Sequence, residues 1–286
     1  CPNRCTCCSV WRFYQGKVRF KSPERVLAEI ESIPGKNILI TDDNFLASVP
    51  RADRIADLLL EKNLKKRFIF QARTDSIARH PEVVAKLRQA GFATVFLGLE
   101  KIDAEGMEGI HKGNTVESNE TALKVLKDVG INTFGTLIVD PDYDEDDFKR
   151  LWDYVRRRAI PNAWFTILTP LPGTELFDQV KEKLTTRNWE IFDLAHAVLP
   201  TRLGLDEFYR HYAHLYTAVY SPRVLAGRMW NAMFNRQGRS IGGVPSLSLA
   251  WRSLNTLRSM SDPDEYMLGH VEESEVPGSE LSLLRG

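Results

Sequence analysis

The chain has 286 residues, its 38 Lys+Arg balance 38 Asp+Glu, and its formal net charge is +0. A hydrophobic content of 43% with 27% charged residues describes a globular chain long enough for one large domain or two small ones. The neutral balance argues against a nucleic-acid partner, no apolar run reaches the ~20 residues that cross a bilayer, and the opening residues do not read as a signal peptide, so a cytoplasmic protein is expected.

The chain opens on "CPNRCTCC" and reads as a piece of a longer protein. Cys1, Cys5, Cys7 and Cys8 are its only cysteines. Three sites compete for them. A disulfide framework spreads cysteines so that bridges close long loops, and these close almost nothing. Structural zinc commonly takes two ligand pairs separated by a loop, and no second pair follows. An iron–sulfur cluster fits Cys1, Cys5 and Cys8, spaced C-x3-C-x2-C. Three thiolates on four irons leave one iron open to a substrate or cofactor. Cys7 then packs against the cluster without ligating it.

Behind the cysteines, short apolar runs alternate with amphipathic segments. Ser22-Pro23 is a cap with a first-turn proline, and Val26, Leu27, Ile30 and Ile33 form one helical face. Strands are predicted at 37–41, 67–73, 93–100, 132–140 and 163–170, rich in Ile, Val, Phe and Leu like buried parallel strands. Helices are predicted at 52–64, 81–91 and 117–130, the last two stopping on Gly91 and Gly130. This rhythm predicts an α/β fold: a parallel sheet curled into a partial (β/α) barrel over residues 1–183.

Each predicted strand ends in polar groups: Thr41-Asp42-Asp43-Asn44, then Gln71, Arg73 and Asp75, then Glu100, Asp140 and Thr169. Strand-end Asp and Asn can merely cap the next helix. Five strands ending this way point instead to a site at the C-terminal rim. Residues 184–236 read as a helical C-terminal extension. Its aromatic stripe, Trp189, Phe192, Phe208, Tyr209, Tyr212, Tyr216 and Tyr220, reads as core before it reads as a ligand box. His196, His211 and His214 are assigned no metal. Residues 222–239 place Arg223, Arg228, Arg236 and Arg239 beside an apolar face of Leu225, Met229, Trp230, Met233 and Phe234. Two readings stand for this stretch: a helix packed on the barrel, or one lying in a bilayer interface. Residues 237–286, rich in Ser, Gly and charge, are expected to be a weakly ordered tail.

The cysteine spacing resembles the signature of the radical S-adenosylmethionine (radical SAM) enzymes, and the resemblance covers about residues 1–220. It implies a [4Fe-4S] cluster on Cys1, Cys5 and Cys8, and S-adenosylmethionine bound at the open iron and cleaved to a 5′-deoxyadenosyl radical. It also implies that Asp42, Asp43 and Asn44 stand where many members carry Gly-Gly-Glu and receive the cofactor's amino group. "GLE" at 98–100 resembles the fourth-strand motif, which sends Glu100 to the ribose or amine. Asp140 replaces a usual glycine near the adenine. "TPLPGTEL" at 169–176 resembles the sixth strand's end. Arg73 is the best cation for the cofactor carboxylate, because a guanidinium forks onto carboxylates.

"CSVWRFYQGKVRFKSPERV", "FIFQARTDSIARHPE", "GLEKI" and "LTTRNWEIFDLAHAVLPTRLGLDEFYRHY" resemble the cobalamin-binding branch, and within it the hopanoid C-3 methylases. That implies methyl transfer to an unactivated carbon of a hopanoid-like lipid, with an electron donor as a further partner. The cobalamin domain would lie upstream of Cys1, and this piece would not methylate alone. Peripheral contact with the inner membrane would follow if 222–239 docks there. Other radical SAM chemistry on a different substrate is one alternative. A barrel hydrolase with Asp42, Asp43, Glu100 and Asp140 around a divalent ion is another, and a zinc-stapled interaction module a third.

Overall fold

The computed structural model describes residues 3–160, 162–220 and 262–271. Five strands form one all-parallel sheet in sequence order: β1 (Asn37–Leu39), β2 (Arg67–Ala72), β3 (Phe92–Glu100), β4 (Asn132–Val139) and β5 (Asn162–Ile167). The sheet curls into the expected partial barrel. Helices α1 (Val10–Phe13) and α2 (Pro23–Ser32) precede β1, and α3 (Val49–Glu61) follows it. After β2 come α4 (Thr74–Arg79) and α5 (Pro81–Gln89); after β3, α6 (Ala104–Gly109) and α7 (Val116–Val129); after β4, α8 (Glu145–Arg157). Helical crossovers between sequential neighbours are what parallel pairing requires.

Local chemistry sets the boundaries. Ser22 Oγ accepts from Arg25 N at 3.2 Å, with Pro23 opening α2 and Leu27 and Ile30 buried beneath it. Gly91 and Gly130 take φ of +105° and +79°, left-handed stops at the expected places. β1 is shorter than predicted, although Ile40 N still donates to Ile69 O at 2.8 Å. β5 ends at Ile167, three residues before Pro170, which has no N–H for a ladder. Helix α8 was not anticipated from the sequence. Its box closes between Asp144 and Asp147, and it buries Phe148, Leu151, Tyr154 and Val155.

Two aromatic groups hold the molecule. Phe45, Phe68 and Phe70 pack around Phe92 at centroid distances of 5.1, 4.9 and 5.2 Å, under β2 and β3. At the other side, α9 (Glu175–Val180) leads to α10 (Leu205–Leu215) and α11 (Thr217–Tyr220). Phe208, Tyr209, Tyr212 and Tyr216 are fully buried, which settles that part of the stripe as core, while Trp189 is half exposed. Tyr212 and Tyr216 hydroxyls both donate to Phe165 O, at 2.8 and 3.1 Å, fixing this layer to β5.

The expected weakly ordered tail contains one described helix, α12 (Pro263–Val271). It packs on α10, with Tyr266 stacked on Tyr209 at 5.5 Å. A buried aromatic offsets the ordering of a short segment, which composition alone does not reveal. The arginine-rich stretch 222–239 lies outside the described residues.

Candidate active site

The cysteine loop is strapped at several points. Cys8 N donates to Cys5 O at 3.2 Å, closing a turn, and Trp11 Nε1 donates to the same oxygen at 2.9 Å. Thr6, nearly fully buried, donates its N–H to Ile110 O at 3.3 Å and accepts from Leu176 N at 3.0 Å. Asn3 Nδ2 donates to Lys112 O at 3.1 Å. The loop is thereby held between the end of α6 and the start of α9. Cys5, Cys7 and Cys8 are half-buried free thiols, and Cys1 lies outside the described residues.

Burial pushes the Cys5 thiol up, with Cys8 and Glu100 adding to the rise and Lys112 and Arg73 opposing it. Cys7 is pushed up to about 12, by burial first and then by Glu100, Cys5 and Cys8. Clustered thiols that burial holds neutral become thiolates when a metal supplies the missing positive charge. The loop's donor set therefore suits an iron–sulfur cluster.

The predicted rim residues fall into three groups. Asp42, Asp43 and Asn44 follow β1. Asp42 lies 3.6 Å from Arg51 Nη1, and Asn44 is buried with its Oδ1 unpaired. Arg51 Nη1 is likewise buried without a hydrogen bond. Two such atoms in one corner are the kind that a bound polar group satisfies. A cavity of ≈ 550 Å³ opens here, lined by these residues together with Tyr14, Phe20 and Phe45.

Arg73 and Glu100 form the second group, beside the cysteines. Arg73 is buried; its Nε donates to Asp75 at 2.9 Å, and its Nη2 to Lys112 O at 2.7 Å and to Asn114 Oδ1. Glu100 ends β3 at φ +63°, just after a register shift against β4. There it pairs with Lys112, whose Nζ also donates to Gly98 O at 2.9 Å. A Cβ at Gly98 would meet the Lys112 ammonium and the Glu100 carboxylate, so a side chain there would have to displace the pair.

Asp140 is the third, at the end of β4. It pairs with Lys101, whose Nζ also donates to Ile138 O at 3.2 Å. Burial pushes the Asp140 carboxyl up and Lys101 opposes the rise. Burial and then Asp140 push the Tyr143 phenol up as well. Glu100 and Asp140 are thus each tied to their own lysine rather than turned to a shared divalent ion, which speaks against the hydrolase reading.

Lys101, Lys112, Asn114 and Asn119 were not anticipated. Asn119 is fully buried on α7, and its Nδ2 donates to Leu99 O at 2.8 Å, anchoring the strand just before Glu100. The sequence signal was present only as polar residues flanking "GLE" and following "GIH". Among the described residues, Glu145, Glu207 and His211 also bring one ligand atom each within 4.8 Å of one another, on α8 and α10.

The chain belongs to the Radical SAM superfamily, whose family description matches residues 1–155. The family's cofactors are a [4Fe-4S] cluster and S-adenosylmethionine, and the thiols of the cysteine loop suit the cluster. The chain is 30% identical over 278 residues to the hopanoid C-3 methylase of Methylococcus capsulatus, covering 97% of this chain and 53% of that protein. It is 26% identical over 265 residues to the bacteriochlorophyllide d C-8(2)-methyltransferase of Chlorobaculum tepidum, covering 82% of this chain and 58% of that one. It thus spans about half the length of these relatives. Among solved structures, the cobalamin-dependent S-adenosylmethionine radical enzyme OxsB shares the fold, with a TM-score of 0.57 and 18% identity over 95% of this chain and 50% of that one.

Proposed function

We propose that this chain is the radical SAM portion of a cobalamin-dependent methyltransferase that acts on an unactivated carbon of a hopanoid-like lipid. The observation that supports it most is the cysteine loop, strapped beside Arg73, Lys112 and Glu100 at the ends of β2 and β3. The likeness to a hopanoid C-3 methylase along nearly the whole chain supports the substrate class.

In this reading Cys1, Cys5 and Cys8 hold the cluster and Cys7 packs beside it. When bound, the cluster supplies the electron that cleaves S-adenosylmethionine. Asp42, Asp43 and Asn44 accept hydrogen bonds from the cofactor's amino group, where Asn44 Oδ1 has none. Glu100 takes a ribose hydroxyl or the amine. Arg73 balances the cofactor carboxylate by its charge, with its Nε and Nη2 engaged by Asp75, Lys112 O and Asn114, and Asp140 borders the adenine.

A cobalamin domain and an electron donor complete the enzyme. Among the described residues no helix is long and apolar enough to cross a membrane. Contact with the inner membrane through 222–239 is supported by the sequence alone, whose four arginines would, if the stretch is read as a helix, flank an apolar face.

The test is S-adenosylmethionine binding by calorimetry on protein reconstituted anaerobically with iron and sulfide. Asp43→Ala and Glu100→Ala should each weaken binding by about 1–3 kcal/mol while iron content stays at the wild-type level. Affinity equal to wild type in both variants refutes the cofactor contacts.

A further inference from the structure

Residues 110–115, between α6 and α7, join the cysteine loop to the rim through one residue. Lys112 O accepts from Asn3 Nδ2 at 3.1 Å and from Arg73 Nη2 at 2.7 Å. Two positions earlier, Ile110 O accepts from Thr6 N at 3.3 Å. The Lys112 ammonium donates to Gly98 O at 2.9 Å and pairs with Glu100. The residue is only 9% exposed. A lysine is seldom buried so far, because its ammonium loses water that few partners replace. This one holds a carboxylate and a strand carbonyl, and it lies beside a loop of thiols.

The pair it forms with Glu100 lies against the cysteine loop, because Lys112 O and Ile110 O each take a donor from that loop, Asn3 Nδ2 and Thr6 N. Within the pair the ammonium offsets the Glu100 carboxylate, which would otherwise stand there as an uncompensated negative charge. A thiolate cluster gains negative charge on reduction, and a fixed cation in a site of low polarity favours the state that carries more of it.

We propose that Lys112 is a positioning residue that couples the cluster to Glu100: it holds the carboxylate at the end of β3 and presents to the cysteine loop a positive charge that favours the reduced cluster. The inference rests on the cluster reading above and extends it to a residue outside the cysteine motif. A purely structural Lys112 would affect folding and leave the cluster's electronics alone.

The experiment compares wild type, Lys112→Met, Lys112→Arg and the double variant Lys112→Met/Glu100→Gln, reconstituted with iron and sulfide and free of S-adenosylmethionine. Iron and sulfide content is measured first. Dithionite then delivers one electron per cluster in a mediated titration followed by paramagnetic resonance. Lys112→Met should shift the midpoint to lower potential, Lys112→Arg should stay at the wild-type value, and the double variant should return part of the way. A Lys112→Met cluster with the wild-type midpoint overturns the proposal. If Lys112→Met loses iron while Lys112→Arg keeps it, the need for the charge is upheld. If both lose it, Lys112 acts through packing and the proposal falls. Wild-type protein that forms no cluster overturns this inference together with the reading it rests on.

Discussion

At the ends of β2, β3 and β4 the sheet is closed by charge: Arg73 on Lys112 O and Asp75, Lys112 on Glu100, Lys101 on Asp140. At β5 it is closed by rings: Phe208, Tyr209, Tyr212 and Tyr216 are buried, and two of their hydroxyls converge on Phe165 O. The aromatic side gains from area removed from water, and each hydroxyl only avoids an unpaired polar group. The charged side pays desolvation for every ion it places, so its arrangement is explained by what it positions rather than by stability. Site and scaffold therefore separate along the sheet, and mutations on the two sides should fail differently.

The sharpest break is expected at the cysteines. Cys5→Ala and Cys8→Ala should each abolish the cluster, read as loss of the iron bound on reconstitution, while the unfolding curve of the iron-free protein overlies that of the wild type. Cys7→Ala should keep its iron. If Cys7→Ala loses the cluster and Cys5→Ala keeps it, the ligand set is wrong.

The aromatic side should show the converse. Phe208 has no exposed surface and contacts Phe148 edge-on at 5.3 Å. Phe208→Ala should lower stability by about 3–5 kcal/mol in chemical denaturation, the range for large-to-small core changes. At a temperature where the variant remains folded, its iron content should match the wild type. A loss below about 1 kcal/mol would mean that α10 is not part of the core.

The two sides also differ in how much the sequence revealed. β3 was read to within one residue, because a run of Val, Phe and Leu bounded by Gly91 can be little else. The polar strand ends were visible for the same reason, since each interrupts an apolar run. Their partners were not. Lys101 and Lys112 look like surface lysines in sequence, and only the fold makes them neighbours of carboxylates, Lys101 of Asp140 and Lys112 of Glu100. The order of α12 was hidden as well, because Tyr266 finds Tyr209 from the far end of the chain.

The smallest of these effects tests whether a charged clamp contributes to folding at all. Lys101 is 3% exposed and bonds both Asp140 and Ile138 O. Lys101→Met keeps the length of the side chain and removes the charge, leaving Asp140 buried without its partner. Breaking a buried pair from one side costs about 3 kcal/mol at the lower end of its range, fitting for a carboxylate that is still partly exposed. The pH dependence gives the sign. Burial raises the Asp140 pKa in the fold above its ordinary value, so the folded protein holds this proton more tightly than the unfolded chain does. Its stabilising contribution is then complete below the ordinary aspartate range and is lost as pH rises through the raised value. Without Lys101 to oppose burial, that loss should begin at the same pH, extend further upward and be larger. Lys101→Met/Asp140→Asn has no such proton, so its profile should lack this component between pH 4 and 7, and it should be more stable than Lys101→Met at neutral pH, roughly the pattern of replacing both ions rather than one. Melting curves of the three proteins across that range decide it: parallel profiles for wild type and Lys101→Met would show that Asp140 is solvated and that the clamp only positions it.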